Sequence, residues 1–289
     1  MPIRQTYRIP LPDGRTLVLG ERTLVMGILN VTPDSFSDGG RHLDVEHAVE
    51  AGVRMVEAGA DILDVGGEST RPGADSVGAD EELRRVLPVV EGLARRTDAL
   101  ISIDTYKAVV AEAAIERGAA IVNDISGLQY DPALGAVAAK HGTPLVLMHT
   151  RGRSREMYER AVYDDVVAEV SRELEEAIER ARGAGVPREA IVIDPGFGFA
   201  KSPEHSLTLL ARLPELAQLD RPILSGPSRK SFLKLAIGMR DAMDREWGTA
   251  GAVTASVLLG AHILRVHDVR AMVDAIRVAD AILDRAVDK

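Results

Sequence analysis

Short β-branched apolar runs alternate along this chain with longer stretches in which apolar residues recur at helical spacing, and this alternation predicts repeated βα units. Eight runs read as strands: 23–29, 61–65, 100–103, 120–123, 144–148, 191–193, 222–225 and 262–266. Helical periodicity between and after them predicts helices over 45–58, 81–96, 107–117, 132–141, 163–184 and 269–286, with Asp44, Asp80 and Asp131 at the N-caps. Two more helices should flank residues 238–246, lengthening the seventh unit. Ahead of the first strand, residues 7–19 turn at Pro12-Asp13-Gly14 and read as a β-hairpin that could plug a barrel floor.

Eight such strands close most simply into a (β/α)8 TIM barrel, although a doubly wound open sheet would show the same alternation. The polar residues favour the barrel. Nearly every strand ends in groups able to do chemistry: Asn30, Asp64 to Arg71, Asp104, Asn123-Asp124, His149, Asp194, Ser228-Arg229-Lys230, and Arg265 with His267. In barrels these ends converge on one mouth, whereas an open sheet uses mainly the loops at its switch point.

Length agrees with one barrel domain over 1–289, since 289 residues at 46% hydrophobic suffice for a large core. The chain has no cysteine, which removes disulfides, thiolate nucleophiles and thiolate metal sites together. A net charge of −9 argues against a nucleic-acid partner, and any anionic substrate would need a local positive patch. The first residues lack the apolar stretch of a signal peptide, so a cytoplasmic location is expected. Residues 247–264 carry no Asp, Glu, Lys or Arg, yet Gly, Ser, Thr and His262 dilute them. A buried helix running into a strand fits better than a membrane span.

The chemistry lies in the polar blocks. MGILNVTPDSFSDGG, residues 26–40, is an apolar strand that opens abruptly into a polar, turn-rich loop. DVGGESTRPG, residues 64–73, repeats that plan with glycines that let backbone amides approach a ligand. Asp104 and Asn123, on adjacent strand ends, suit the N–H donors and ring acceptors of a bicyclic heteroaromatic edge, although Asp104 could merely cap a helix starting at Tyr106. His149 is a lone histidine without a partner at metal-ligand spacing and is given no catalytic role. DPGFGFAKS, residues 194–202, fails both dinucleotide and phosphate-loop spacing, and its Phe197 and Phe199 are expected to be exposed for stacking. In GPSRKSFL, residues 226–233, Ser228-Arg229-Lys230 at a helix start would receive an electron-rich group. Arg265 and His267, two apart on one strand end, face the same side and could share an anion.

Together these blocks, from 26 to 269, resemble the dihydropteroate synthase family, a family of pterin-binding barrels. The resemblance implies a transferase of folate biosynthesis that joins (7,8-dihydropterin-6-yl)methyl diphosphate to p-aminobenzoate with loss of pyrophosphate, by an SN1-like path. It implies pterin contacts from Asp104, Asn123, Met148, Asp194 and Lys230, with Met148 equally readable as core. It assigns p-aminobenzoate to Phe36, Ser37, Asp38, Thr70, Arg71, Pro72, Phe199 and Ser231, and diphosphate to Asn30, Arg265 and His267. Lys230, Asp104, Asp194, Arg265 and His267 would then be the catalytic set, Asn30 a ligand of Mg2+, Asp124 structural, and the molecule a homodimer. Two departures stand out, because relatives commonly carry proline where Ser154 stands and glycine where Ala200 stands. The rival readings are a pterin-dependent methyltransferase domain and a non-catalytic pterin-binding paralogue.

Overall fold

A computed structural model describes residues 4–31, 41–69, 76–153 and 156–287, without the side chains of 41–44 and 287. Ten strands are described: β1 (Tyr7–Pro10), β2 (Thr16–Leu19), β3 (Leu24–Asn30), β4 (Ile62–Gly66), β5 (Leu100–Asp104), β6 (Ile121–Asp124), β7 (Leu145–Met148), β8 (Ile191–Asp194), β9 (Leu224–Ser225) and β10 (Ile263–Val266). The first two pair antiparallel as the expected hairpin. The other eight form one parallel sheet in the order β8-β7-β6-β5-β4-β3-β10-β9, and a bridge between Ile193 and Ile223 joins its two edges. The sheet is therefore a closed barrel, as the strand ends predicted.

Helices α1 (Arg41–Glu57), α2 (Ala79–Arg96), α3 (Ala108–Ile115), α4 (Ala133–His141), α5 (Val166–Gly183), α6 (Pro203–Ala211), α7 (Lys234–Ile237), α8 (Glu246–Leu258) and α9 (Val269–Val287) are distributed among the βα units. The N-caps differ from expectation in two places. Asp44 lies within α1, and α2 is capped by Gly78, so Asp80 sits in the first turn, where its charge complements the helix dipole without a capping bond. Asp131 does cap, and twice: its carboxylate accepts from Ala133 N at 3.1 Å at the start of α4 and from Ala108 N at 2.8 Å at the start of α3. Because α3 is served from that neighbouring loop, Asp104 is free of the capping role. Helix α5 starts later than the periodicity suggests, at the Asp165 cap, which accepts from Val167 N and Ala168 N.

Strand residues alternate between two cores, as period-2 side chains must. Outward residues such as Val25, Leu63, Ile103, Val122 and Leu147 meet the helices. Inward residues at the strand starts, among them Leu24, Ile62, Ile121, Val146, Val192, Leu224 and Ile263, form a separate apolar cluster with Ile9 and Leu19 of the hairpin. The hairpin thus closes the barrel floor. Residues 247–264 are α8 running into β10, and no described helix is long and apolar enough to cross a membrane.

Candidate active site

Two residues above the floor, the same inward positions turn polar. Strands β4, β5, β6, β8 and β10 bring Asp64, Asp104, Asn123, Asp194 and Arg265 together, although the last two lie far along the chain from the first three. Arg265 ties the group: its Nε donates to Asp64 Oδ2 at 2.6 Å and its Nη2 to Asp104 Oδ2 at 2.7 Å. The Asn123 amide donates to the same Asp64 oxygen at 3.0 Å. Arg265 is thus engaged by two carboxylates, which limits what it offers an anion to its remaining N–H groups. Its neighbour His267 approaches Ser228 Oγ at 3.0 Å through Nδ1.

Lys230 and Asp194 complete the mouth. Lys230 Nζ donates to Phe197 O at 2.5 Å and lies 4.6 Å from the centre of the Phe199 ring, a cation–π contact. The Asp194 carboxylate accepts from Gly196 N at 2.7 Å. Only glycine fits at 196, where φ is +68° and a Cβ would fall 2.1 Å from His149 O.

Burial dominates the electrostatics here. It lifts Asp104 to about 7 against the pull of Arg265, with the Asp64 charge adding to the rise. It also raises Asp194, opposed by Lys230, and lowers Lys230 to about 8, opposed by Asp194. Burial disfavours the Arg265 charge as well, but Asp64 and Asp104 outweigh it and hold the guanidinium firmly protonated. The mouth therefore carries two groups, Asp104 and Lys230, poised near neutral pH, a common property of reaction sites.

Other expectations resolve individually. Met148 ends β7 with its side chain buried, and Asn30 ends β3 partly exposed. Asp124 is structural as read: it accepts from Ser126 N, Ser126 Oγ and Leu128 N and so holds the turn after β6. Phe197 corrects the expected exposure, since it is fully buried against Phe232 and only Phe199 faces the mouth. The expected helix start at 228–230 is also corrected. Ser231–Leu233 is a single 3-10 turn followed by the four-residue α7, too short for a useful dipole, and the Ser228 hydroxyl serves His267. Ser231 itself is exposed. Phe36, Ser37, Asp38, Thr70, Arg71, Pro72 and Ser154 lie outside the described residues.

Two residues went unassigned in the sequence. Asp64 stands among the strand-end groups of the sequence without a role of its own, although an acidic residue inside the buried run Ile-Leu-Asp-Val was the available signal. Lys201 is also fully buried, with Nζ 2.8 Å from His149 Nδ1 and 3.0 Å from Phe199 O. His149 in turn donates through Nε2 to Glu173 at 2.9 Å, and burial with the Lys201 charge lowers its pKa to about 4. Through Lys201, this histidine pins the loop that carries Phe199.

A model of pterin-binding enzymes matches residues 26–267. The dihydropteroate synthase of Synechocystis is 47% identical over 94% of this chain and 95% of its own. The chain belongs to the dihydropteroate synthase family of pterin-binding enzymes. Within that family, the Xanthomonas albilineans dihydropteroate synthase solved with 4-aminobenzoic acid superposes at a TM-score of 0.89, with 47% identity over 96% of this chain and 98% of that one. A second structure of the Xanthomonas enzyme, with 7,8-dihydropteroate, gives 0.85 and 44% identity, covering 95% of this chain and 98% of the other.

Proposed function

We propose that the mouth of this barrel joins (7,8-dihydropterin-6-yl)methyl diphosphate to the amine of p-aminobenzoate, giving 7,8-dihydropteroate and pyrophosphate in folate biosynthesis. What supports this reading above all is the convergence of Asp104, Asn123, Asp194, Lys230 and Arg265 on one mouth in a barrel of this family. Asp104, Asn123 and Asp194 would take the N–H groups of the pterin edge, Lys230 its carbonyl and ring acceptors, and Met148 its face. Phe199 and Ser231, with Phe36 to Asp38 and Thr70 to Pro72, would receive p-aminobenzoate.

No protein nucleophile is required. The C–O bond to diphosphate breaks, the methylene carries positive charge that the electron-rich dihydropterin spreads, and the aromatic amine then bonds to that carbon and loses a proton. The buried carboxylates of Asp104 and Asp194 would stabilise the cation, an electrostatic effect strong in a site shielded from water. Arg265 and His267, with Asn30, would hold the diphosphate as its charge grows.

Magnesium belongs to the same proposal. Asn30 supplies one neutral carboxamide oxygen, and no group of three or more His, Cys, Asp or Glu able to hold a metal occurs among the described residues. That donor set suits magnesium only where substrate phosphate oxygens and water complete the shell. Bound in this way, the ion would offset charge on the departing diphosphate. A homodimer is proposed from the exposed apolar side chains of Met239, Met243 and Trp247 ahead of and at the start of α8.

One assay tests the reading. Pyrophosphate release should require the pterin diphosphate, p-aminobenzoate and magnesium together. Methyl transfer to a corrinoid protein would favour the methyltransferase reading, and tight pterin binding without turnover would favour the non-catalytic one.

A further inference from the structure

Asp64 lies wholly buried on the inner face of β4, between Ile28 of β3 and Ser102 of β5 in the sheet register. One oxygen, Oδ2, accepts from both Arg265 Nε and Asn123 Nδ2, at 2.6 and 3.0 Å. Among the described residues the other oxygen, Oδ1, has no hydrogen-bond partner, and neither does the hydroxyl of its register partner Ser102. Two consequences follow from donor and acceptor chemistry. A guanidinium held at Nε by Asp64 and at Nη2 by Asp104 has its plane fixed. A carboxylate paired with arginine can only accept, so the NH2 of Asn123 must face Asp64 and its carbonyl oxygen must face away.

We infer that Asp64 is a positioning residue of the pterin site, which orients Arg265 and turns Asn123 so that a carbonyl oxygen, not an N–H, meets the ligand. With the two carboxyl groups ionised, Asp104, Asn123 and Asp194 then present acceptors only. The ring edge they read must bring N–H groups, so this wall selects the ring form that carries hydrogen there and leaves an edge with bare ring nitrogens facing lone pairs. The inference rests on the pterin reading of the site. It assigns Asp64 no contact with the reacting atoms.

The test compares Asp64→Asn with Asp64→Ala in the full-length enzyme. In Asp64→Asn the amide oxygen can occupy the Oδ2 position and keep both hydrogen bonds, while its NH2 takes the position that has no partner. Asp64→Ala removes both bonds. Pterin-substrate KM should rise about 10- to 100-fold in Asp64→Ala and no more than about threefold in Asp64→Asn, with KM for p-aminobenzoate within about twofold in both.

A second readout separates positioning from general support of the fold. The charges facing Asp104 are Arg265 on β10, Asp64 on β4, Asp124 on β6 and Glu82 on α2, with Lys230 across the mouth. Of these, Asp64→Asn deletes one that raises Asp104, so the acid limb of kcat/KM should move to lower pH. Equal losses in the two variants that track their Tm, with the limb unmoved, would overturn the inference, as would unchanged pterin KM in Asp64→Ala. Should Asp64→Ala not fold, the limb of Asp64→Asn decides alone: moved supports, unmoved overturns. Failure of the pterin reading is distinct, because it would show in the wild-type enzyme as no pyrophosphate release.

Discussion

The two ends of the barrel are built from the same strands, yet they differ in almost every physical respect. At the floor, Leu24, Ile62, Val146, Val192 and Ile263 pack under Ile9 and Leu19, with no charge among them. At the mouth, the inward positions further along those strands hold buried Asp64, Asn123 and Asp194 and half-buried Asp104 and Arg265, bound to one another or to backbone amides. The floor gains stability by excluding water from apolar surface. The mouth keeps ionised groups in a place where each costs free energy unless another compensates it. The contrast places function in the strand ends and stability in the strand starts, as barrels of this kind allow.

Substitutions at the two ends should therefore fail in different ways. Lys230→Ala carries the largest expected effect: it removes the first of the charges that oppose the burial of Asp194, and kcat/KM should fall about 10²- to 10³-fold, more than its loss of Tm accounts for. Steady-state kinetics beside thermal melts check this, and an unchanged affinity for the pterin would refute the role given to Lys230. Ile9→Ala should do the reverse, costing about 2–4 kcal/mol of unfolding free energy by denaturant titration while leaving KM values within about twofold.

The pH dependence sharpens the same division. Asp104, lifted to about 7, gains its carboxylate only above that pH, and Lys230, lowered to about 8, keeps its ammonium only below it. A bell-shaped kcat/KM with its maximum between these values is expected, falling about tenfold per pH unit outside them. Ile9→Ala should leave that bell unchanged. A flat profile from pH 6 to 9 would mean that these two groups do not govern the rate.

The smallest effect concerns the loop behind Phe199. Ala200 is held at φ +49°, a left-handed conformation that costs a side chain free energy, in the place where relatives commonly have glycine. Ala200→Gly relieves that strain but frees the unfolded chain, so a net gain of about 0.5 kcal/mol is expected in thermal unfolding, with kinetics unaltered. A loss of stability would show instead that the buried methyl group packs usefully.

Much of this was readable along the chain. Every barrel strand and the hairpin follow from apolar period and turn residues, because those signals are local. Asp104, Asn123, Asp194, Lys230 and Arg265 were visible as polar residues ending apolar runs. Helix starts were less visible: α2 begins at a glycine cap, and α3 takes its capping carboxylate from Asp131, which no local rule connects to Ala108. Phe197 and Phe199 look alike in sequence, and only packing against Phe232 buries one and leaves the other at the mouth.

By itself, then, the sequence determined the barrel, its hairpin floor and the inventory of groups at the strand ends, since hydrophobic period and turn chemistry act over a few residues. Tertiary structure alone decided which of those groups meet. Asp64 and Arg265 are separated by most of the chain and bonded at 2.6 Å, because closing the sheet sets the last strands beside the first, so that β4 and β10 flank β3. That closure also sets the burial that brings Asp104 and Lys230 near neutral pH, a property no residue carries in its own type.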